Sequence, residues 1–375
     1  MIKRLGDIAT YVNGYAFKPS DRGDKGLPII RIQDLTGNSY DLGYYDGVYP
    51  SKIEVNDGDI LISWSGSLGI YIWNHGKALL NQHIFKVVFD KEEVNKQYYV
   101  FAVQYKLQEM ISKTHGATMK HIVKKDFNNI LIPVPTLEMQ SKMASVLSKI
   151  NTIISARQKQ IKMLDELIKA RFVEMFGAYP QNPMGWEICT IRDIVTDVRY
   201  GSSRPAVDGG KYPYLRMNNI TYDGELDLSD IKCIDVPDNE LDKCTVRRGD
   251  VLFNRTNSKE LVGKTCVYNR DEMMVLAGFV IRVRVNNRIL PEFLSAFLNT
   301  DFSKQMLLGM CKTAIGQANI NARELQDIRL YLPPVELQWR YVQFKKQTDK
   351  SKVAVQKSLD KTQQLFDSLM QKYFG

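Results

Sequence analysis

The chain has 375 residues, 44% of them apolar, which is enough for two hydrophobic cores with connections. A net charge of +9 and a pI near 9.1 point to a polyanionic partner, nucleic acid foremost. No apolar run approaches the ~20 residues of a membrane span, and no signal-peptide stretch follows residues 1–5. The five cysteines all lie in the second half without a close pair, which predicts reduced thiols of a cytoplasmic protein, with no disulfide framework and no zinc site.

In chain order, residues 1–140 read mainly as strands and turns. Apolar runs at 27–32, 60–63, 71–73 and 84–89 are separated by Gly, Asp and Asn clusters. Residues 98–112 predict a helix, with Tyr99, Phe101, Ala102, Tyr105, Leu107 and Met110 on one apolar stripe. A short strand at 130–134 ends at Pro135. From 141 to 176 there is no Gly and no Pro. Leu147, Ile150, Ile154, Arg157, Ile161, Leu164, Ile168, Arg171 and Met175 alternate spacings of three and four, a heptad seam with two Arg interruptions. A helix of about 36 residues would be ~54 Å long. Gly177 is a suitable stop, and 178–185 is a linker by composition. The second half repeats the pattern: strands and turns, a helical stretch at 292–309, a strand before Pro333, and a Gly- and Pro-free segment at 339–374. There Val355, Leu359, Thr362, Phe366, Leu369 and Tyr373 keep the seam, while Lys345, Thr348 and Lys352 continue it in polar residues.

The similarity of the halves is literal. Ile130-Leu131-Ile132-Pro133-Val134-Pro135-Thr136-Leu137-Glu138-Met139-Gln140 returns as Ile328-Arg329-Leu330-Tyr331-Leu332-Pro333-Pro334-Val335-Glu336-Leu337-Gln338, an offset of 198 (328 − 130). Asp7-Ile8 matches Asp193-Ile194, residues 28–35 match 213–220, and Gly58-Asp59-Ile60-Leu61 matches Gly249-Asp250-Val251-Leu252. The offset drifts along the chain, as insertions in loops between fixed elements produce. A period this long is a duplicated domain, not a solenoid. The expected boundaries are 1–140 for the first domain, 141–177 for a central helix, 178–185 for a linker, 186–338 for the second domain and 339–375 for a C-terminal helix. Two equal helices, each following one copy, predict antiparallel pairing about a pseudo-twofold axis.

Catalytic patterns do not emerge. His75, His83, His115 and His121 lack metal-site spacing. Neither a phosphate-binding Gly-rich loop nor a Gly-x-Ser-x-Gly elbow occurs. Leu332-Pro333-Pro334-Val335 lacks the polar residue with which amino methyltransferases hold the target amine. No active site and no bound cofactor are therefore expected.

The candidate recognition segments are the polar loops where the two copies diverge. Ser63, Trp64, Ser65 and Ser67 follow one shared strand. Asn254, Arg255, Thr256, Asn257, Ser258 and Lys264 follow the other. Arg suits guanine edges, and Asn or Gln suits adenine. Lys113, Lys120 and His121 precede Ile122, while Lys312, Gln317 and Asn319 precede Ile320, and their cations suit phosphates. Gln82 and His83 form a further candidate pair. Arg31 and Arg216, present in both copies, suit a structural or phosphate role.

At these residues the chain resembles the specificity (S) subunits of type I restriction-modification enzymes. The resemblance rests on Gly116 and Ile122 leading into Ile132-Pro133-Val134-Pro135 and Glu138-x-Gln140, then a long helix, all repeated. It rests also on the stretches at 64–69 and 254–264. Ala314 replaces the Gly of the first copy, with Gly316 nearby. The resemblance implies an α+β fold with two repeated mixed α/β target-recognition domains, separated by two long helices in an antiparallel coiled coil that acts as a ruler. It implies that each domain reads one half of a split site in double-stranded DNA. It further implies two methyltransferase (M) subunits, which use S-adenosylmethionine to methylate adenine, and restriction (R) subunits, which use ATP and Mg to translocate and cleave. The chain itself would be non-catalytic. The alternatives are a coiled-coil scaffold without DNA readout and a self-contained DNA-modifying enzyme.

Overall fold

A computed structural model describes residues 1–38, 43–113, 122–258, 261–314 and 317–375; the side chains of 112–113, 312–314 and 317–318 are not described. The chain divides into two compact units, Met1–Lys159 with Gln356–Gly375, and Gln160–Val355.

In the first unit the continuous apolar run Ile60–Ser63 becomes a strand buried along its whole length, as a run without alternation requires. It lies inside an antiparallel four-stranded sheet ordered Thr10–Asn13, Ile84–Val88, Ile60–Ser63, Gly69–Ile72. A second sheet is ordered Tyr44–Tyr45, Leu27–Ile30, Ala78–Leu80, Glu54–Val55, with its central pair parallel. The second unit repeats both orders. Its first sheet runs Val195–Tyr200, Val280–Val285, Val251–Asn254, Thr265–Val267. Its second runs Lys232–Ile234, Tyr212–Leu215, Met274–Leu276, Thr245–Val246, again with a parallel central pair. One basic residue bridges the sheets in each copy. Lys86 donates to the Glu54 carbonyl at 2.5 Å in the first. Arg282, almost fully buried, donates to the Thr245 carbonyl and to Asp197 Oδ2 at 2.7 Å in the second.

The matched Pro-x-x-Glu-x-Gln segments have a common structural task. Gln140 is buried; its amide donates to the Pro135 carbonyl at 2.8 Å and accepts from the Asn95 amide at 2.9 Å. Asn95 immediately precedes the helix Lys96–Lys113. Gln338 does the same at the helix Pro291–Leu298. It accepts from the Leu290 amide at 2.8 Å and donates to the carbonyls of Pro333 at 2.8 Å and Arg288 at 3.2 Å. Each glutamine thereby satisfies backbone groups that burial would otherwise leave unpaired.

The long helices are Leu137–Phe176 and Val335–Phe374, 40 residues each. Both begin about four residues earlier than the Gly- and Pro-free segments imply. Thr136 and Pro334 sit at their N-termini, where the missing Pro amide costs nothing. The Gly177 stop holds, in the left-handed region at φ 83°. The seam is that expected, and the helices run antiparallel within each unit. In the first, Leu147, Ile150 and Ile154 share a core with Leu359, Phe366 and Met370. In the second, Ile168, Phe172 and Phe176 share one with Leu337 and Tyr341. The polar interruptions find partners. Arg157 donates to the Ser358 carbonyl at 2.8 Å and to Thr362 Oγ1. Arg171 lies over the Phe344 ring at 5.6 Å, and Lys352 pairs with Asp165 at 2.5 Å.

Two expectations need correction. The stretch 292–309 is two helices, Pro291–Leu298 and Asp301–Met310. Asn299 turns its side-chain amide to the Thr265 carbonyl at 2.7 Å, and Thr300 caps the second helix through Ser303 N. The run at 27–32 stops being a strand at Ile30. Asp34 accepts from the Arg31 amide at 2.7 Å and starts a short helix, Ile32–Thr36.

Candidate nucleic-acid interface

In the first unit Ser63 pairs with Gly69 at the end of the strand, so residues 64–68 form a hairpin loop. Ser63 is fully buried, and its hydroxyl donates to the Ser67 carbonyl, closing that loop from inside. Gly66, at φ 68°, supplies the left-handed turn. Trp64 is held on both sides: its amide donates to the His83 carbonyl at 3.2 Å, and its carbonyl accepts from the Ile122 amide at 2.9 Å. Its indole stacks on Phe85 at 5.6 Å and meets the His83 ring edge-on at 4.9 Å. Trp64 Nε1 and His83 Nδ1 are both buried without a hydrogen-bond partner. His83 has φ 72°, unusual for a non-glycine residue. Ser65 is half-buried; Ser67 and Gln82 are exposed. The fold therefore brings the segments 63–67, 82–83 and the backbone of Ile122 to one edge.

The second unit builds the same edge with the same backbone bonds. Arg255 donates its amide to the Phe279 carbonyl at 3.0 Å and accepts from the Ile320 amide at 2.9 Å. Arg255 thus occupies the position of Trp64, and Phe279 that of His83. Here the chain continues in extended form, and Thr256 and Asn257 pair with Asn319 and Ala318. The strands Lys312–Ala314 and Gln317–Asn319 complete a three-stranded sheet with Thr256–Asn257. Segments distant in sequence, 254–258 and 317–319, are thereby joined.

Several sequence candidates lie in the interior. Asn254 is 0% exposed. With its nitrogen turned toward the carbonyls, it donates to Thr256 at 3.0 Å and Phe279 at 3.3 Å and accepts from Asn257 at 2.9 Å. Thr256 is also buried, and Thr256 Oγ1 donates to Asn319 Oδ1 at 3.3 Å. Lys264 is 6% exposed and donates to the Met217 carbonyl at 2.9 Å; burial holds its ammonium below the ordinary lysine range. These side chains, with Ser63, shape the loops from within. Asn257 and Ser258 are half-buried and Asn319 is exposed. Arg31 pairs with Asp34, and Arg216 with Asp230 at 2.8 Å, the structural role their retention suggests. The backbones of Lys113, Lys312 and Gln317 end a helix and build two strands, but their side chains lie outside the described residues. Lys120 and His121 lie outside the described residues altogether.

Arg255 is the exposed edge's distinctive charge. Arg199, Arg204, Arg216, Arg248, Arg282, Arg284 and Arg288 of this unit each pair with a carboxylate. Among the described residues Arg255 has no such pair. Its guanidinium lies 4.8 Å from the centre of the Tyr200 ring, and Nη1 reaches the Gly278 carbonyl at 3.4 Å. Nε is buried and unpartnered. Tyr200 and Phe279 are 43% and 54% exposed beside it. Sequence reasoning missed both aromatics. The available signal was Tyr200-Gly201 aligning with Asn13-Gly14, an aromatic placed where the other copy has none.

Two copies of one mixed sheet-and-helix unit, each followed by a long helix and each presenting a polar edge of its own, define a duplicated recognition protein. The chain matches the family described as the type I restriction modification DNA specificity domain over residues 1–163 and again over 183–365, and it belongs to that family. It is 24% identical to the type I restriction enzyme EcoBI specificity subunit of Escherichia coli, over 99% of this chain and 84% of that one. It is 23% identical to the EcoKI specificity subunit of Escherichia coli strain K12, over 100% and 88%. The crystal structure of a type I restriction-modification S subunit from M. genitalium superposes with a TM-score of 0.58, 14% identity and coverage of 100% and 96%.

Proposed function

We propose that the chain is the specificity subunit of a type I restriction-modification complex. It reads a bipartite site in double-stranded DNA and directs methyltransferase and endonuclease subunits to it. The observation carrying this reading is the pair of equivalent edges, built by the same backbone bonds yet carrying Trp64 in one copy and Arg255 in the other. A common scaffold with different side chains at one address suits two different half-sites. The net charge of +9 supplies the sequence-independent attraction to phosphate. Readout falls to the members of each edge that are not fully buried: Trp64, Ser65, Ser67, Gln82 and His83 in the first, Arg255, Asn257, Ser258 and Asn319 in the second. Lys113, Lys120, His121, Lys312 and Gln317 add contacts along the backbone or bases.

The chain binds no cofactor and performs no chemistry. Two modification subunits supply S-adenosylmethionine-dependent adenine methylation; restriction subunits, where present, supply ATP- and Mg-dependent cleavage, in the cytoplasm where the chromosome lies. The long helices set the spacer of the site. Deleting one heptad from each shortens them by about 10 Å, which is about three base pairs of B-DNA.

The test is to co-express the chain with a cognate methyltransferase and map methylated adenines across a genome. A split motif, with a spacer that shortens in the heptad-deleted variant, is expected. Methylation without a motif would favour a scaffold that does not read DNA, as would DNA binding indifferent to salt.

A further inference from the structure

We infer that Tyr200 is a positioning residue for the second half-site: its ring holds the Arg255 guanidinium flat and ready for a bidentate contact with one base. The inference rests on the reading of the chain as a DNA specificity subunit. A free arginine has long, freely rotating arms, and fixing them on binding costs entropy. Here the guanidinium is already confined. Its carbon lies 4.8 Å from the Tyr200 ring centre, within the range at which a cation is attracted to an aromatic face. Nη1 is tethered to the Gly278 carbonyl at 3.4 Å, and the main chain is pinned on both sides by Phe279 and Ile320. The ring is fixed in its turn, because the Tyr200 hydroxyl accepts from the Ala322 amide at 2.8 Å. Tyr200 ends an edge strand of its sheet, in register with Ile281. Among the described residues Arg255 has no carboxylate partner, and its guanidinium has donors to offer a base. A planar fork held against an aromatic face presents paired donors to O6 and N7 of a guanine. The first copy has Asn13 at the equivalent place and no cation to hold, so the device belongs to one half-site only.

The experiment uses the full chain assembled with its modification subunits and a pool of duplexes randomised across the site, with bound molecules sequenced. Arg255→Ala is expected to relax one base-pair position of one half-site, by about 5- to 150-fold in preference. Tyr200→Val and Tyr200→Leu should relax that same position and leave every other position of both half-sites intact, which also reports that the variants fold. Tyr200→Phe, which keeps the ring face and loses only its anchor to the Ala322 amide, should retain most of the preference. Tyr200→Val combined with Arg255→Ala should be no worse than Arg255→Ala alone. Preservation of the Arg255-dependent position in both Tyr200→Val and Tyr200→Leu overturns the inference while leaving the DNA-reading function standing. Equal damage by Tyr200→Phe overturns the role of the ring. A pool that shows no preferred site with the unaltered chain overturns the specificity-subunit reading itself.

Discussion

The edge around Trp64 and the edge around Arg255 are the same piece of backbone used twice. In each, the amide after the buried strand donates to a carbonyl on the neighbouring turn, and the carbonyl accepts from an isoleucine amide near the end of the unit. The first edge then closes quickly into a hairpin of small residues over an indole packed on His83 and Phe85. The second extends, adds a three-stranded sheet and carries a half-buried cation over the Tyr200 ring. The lesson is a division of labour. Backbone bonds and buried polar side chains such as Ser63, Asn254 and Lys264 build the address, and a few accessible side chains fill it.

The largest expected effect strikes the frame. Gln338→Leu leaves the Leu290 amide and two carbonyls without their partner and should destabilise its unit by roughly 2–3 kcal/mol; Gln140→Leu, with one carbonyl fewer to abandon, should cost roughly 1–2 kcal/mol. Denaturant titrations of both variants check this, and equal tolerance in both would show that the glutamines are not what ties the helices to the repeat. Next come the readers. Arg255→Ala should cost about 1–3 kcal/mol of discrimination at one position of one half-site, while Trp64→Ala, which also strips the indole from Phe85, should disturb only the other half-site. A uniform loss of affinity across all sequences would reduce either residue to a backbone contact.

A third prediction separates the units by pH. Lys304 lies along a cleft of about 460 Å³ in the second unit and donates to the Gly263 carbonyl at 3.2 Å. Burial pushes its pKa down to about 8. The folded state thus prefers the neutral amine, and below pH 8 it carries the whole penalty of a buried charge. Stability should rise between pH 8 and the ordinary lysine value near 10.4. Lys304→Met should therefore stabilise the unit by about 1–2 kcal/mol at pH 7, a gain that fades through that window. Thermal melts at pH 7 and pH 10.5 test the sign. The smallest effect is expected from Arg192→Gln. It breaks the exposed pair with Asp327 at 2.6 Å and should change stability by less than about 0.5 kcal/mol. A larger loss would mean that the ion pairs of the second unit hold it together, which the buried cores should do instead.

Much of the frame was legible because periodicity reports burial directly. Every seam position from Leu147 to Met175 is shielded on its helix, and the runs at 60–63 and 84–89 are central strands, since neither reading needs knowledge of distant contacts. The break at Asn299 was not legible. It depends on the Thr265 carbonyl, 34 residues away in sequence, and that carbonyl recruits the side chain only after the sheet has formed. The site divides in the same way. Polarity marked the loops, but polarity cannot separate Arg255, half-buried over Tyr200, from Asn254, whose amide is consumed by its own turn.

From the sequence alone came the duplication, the two long helices with their seam, the family and the two divergent loops. All are properties of local pattern repeated along the chain. Tertiary structure decided which polar residues are walls and which are readers. It joined 254–258 to 317–319, set Tyr200 beneath Arg255, and turned the matched glutamines inward as clamps. The reason is physical: a polar side chain goes wherever its hydrogen bonds are best satisfied, and its partners are chosen by the packing of distant strands rather than by its neighbours in the chain.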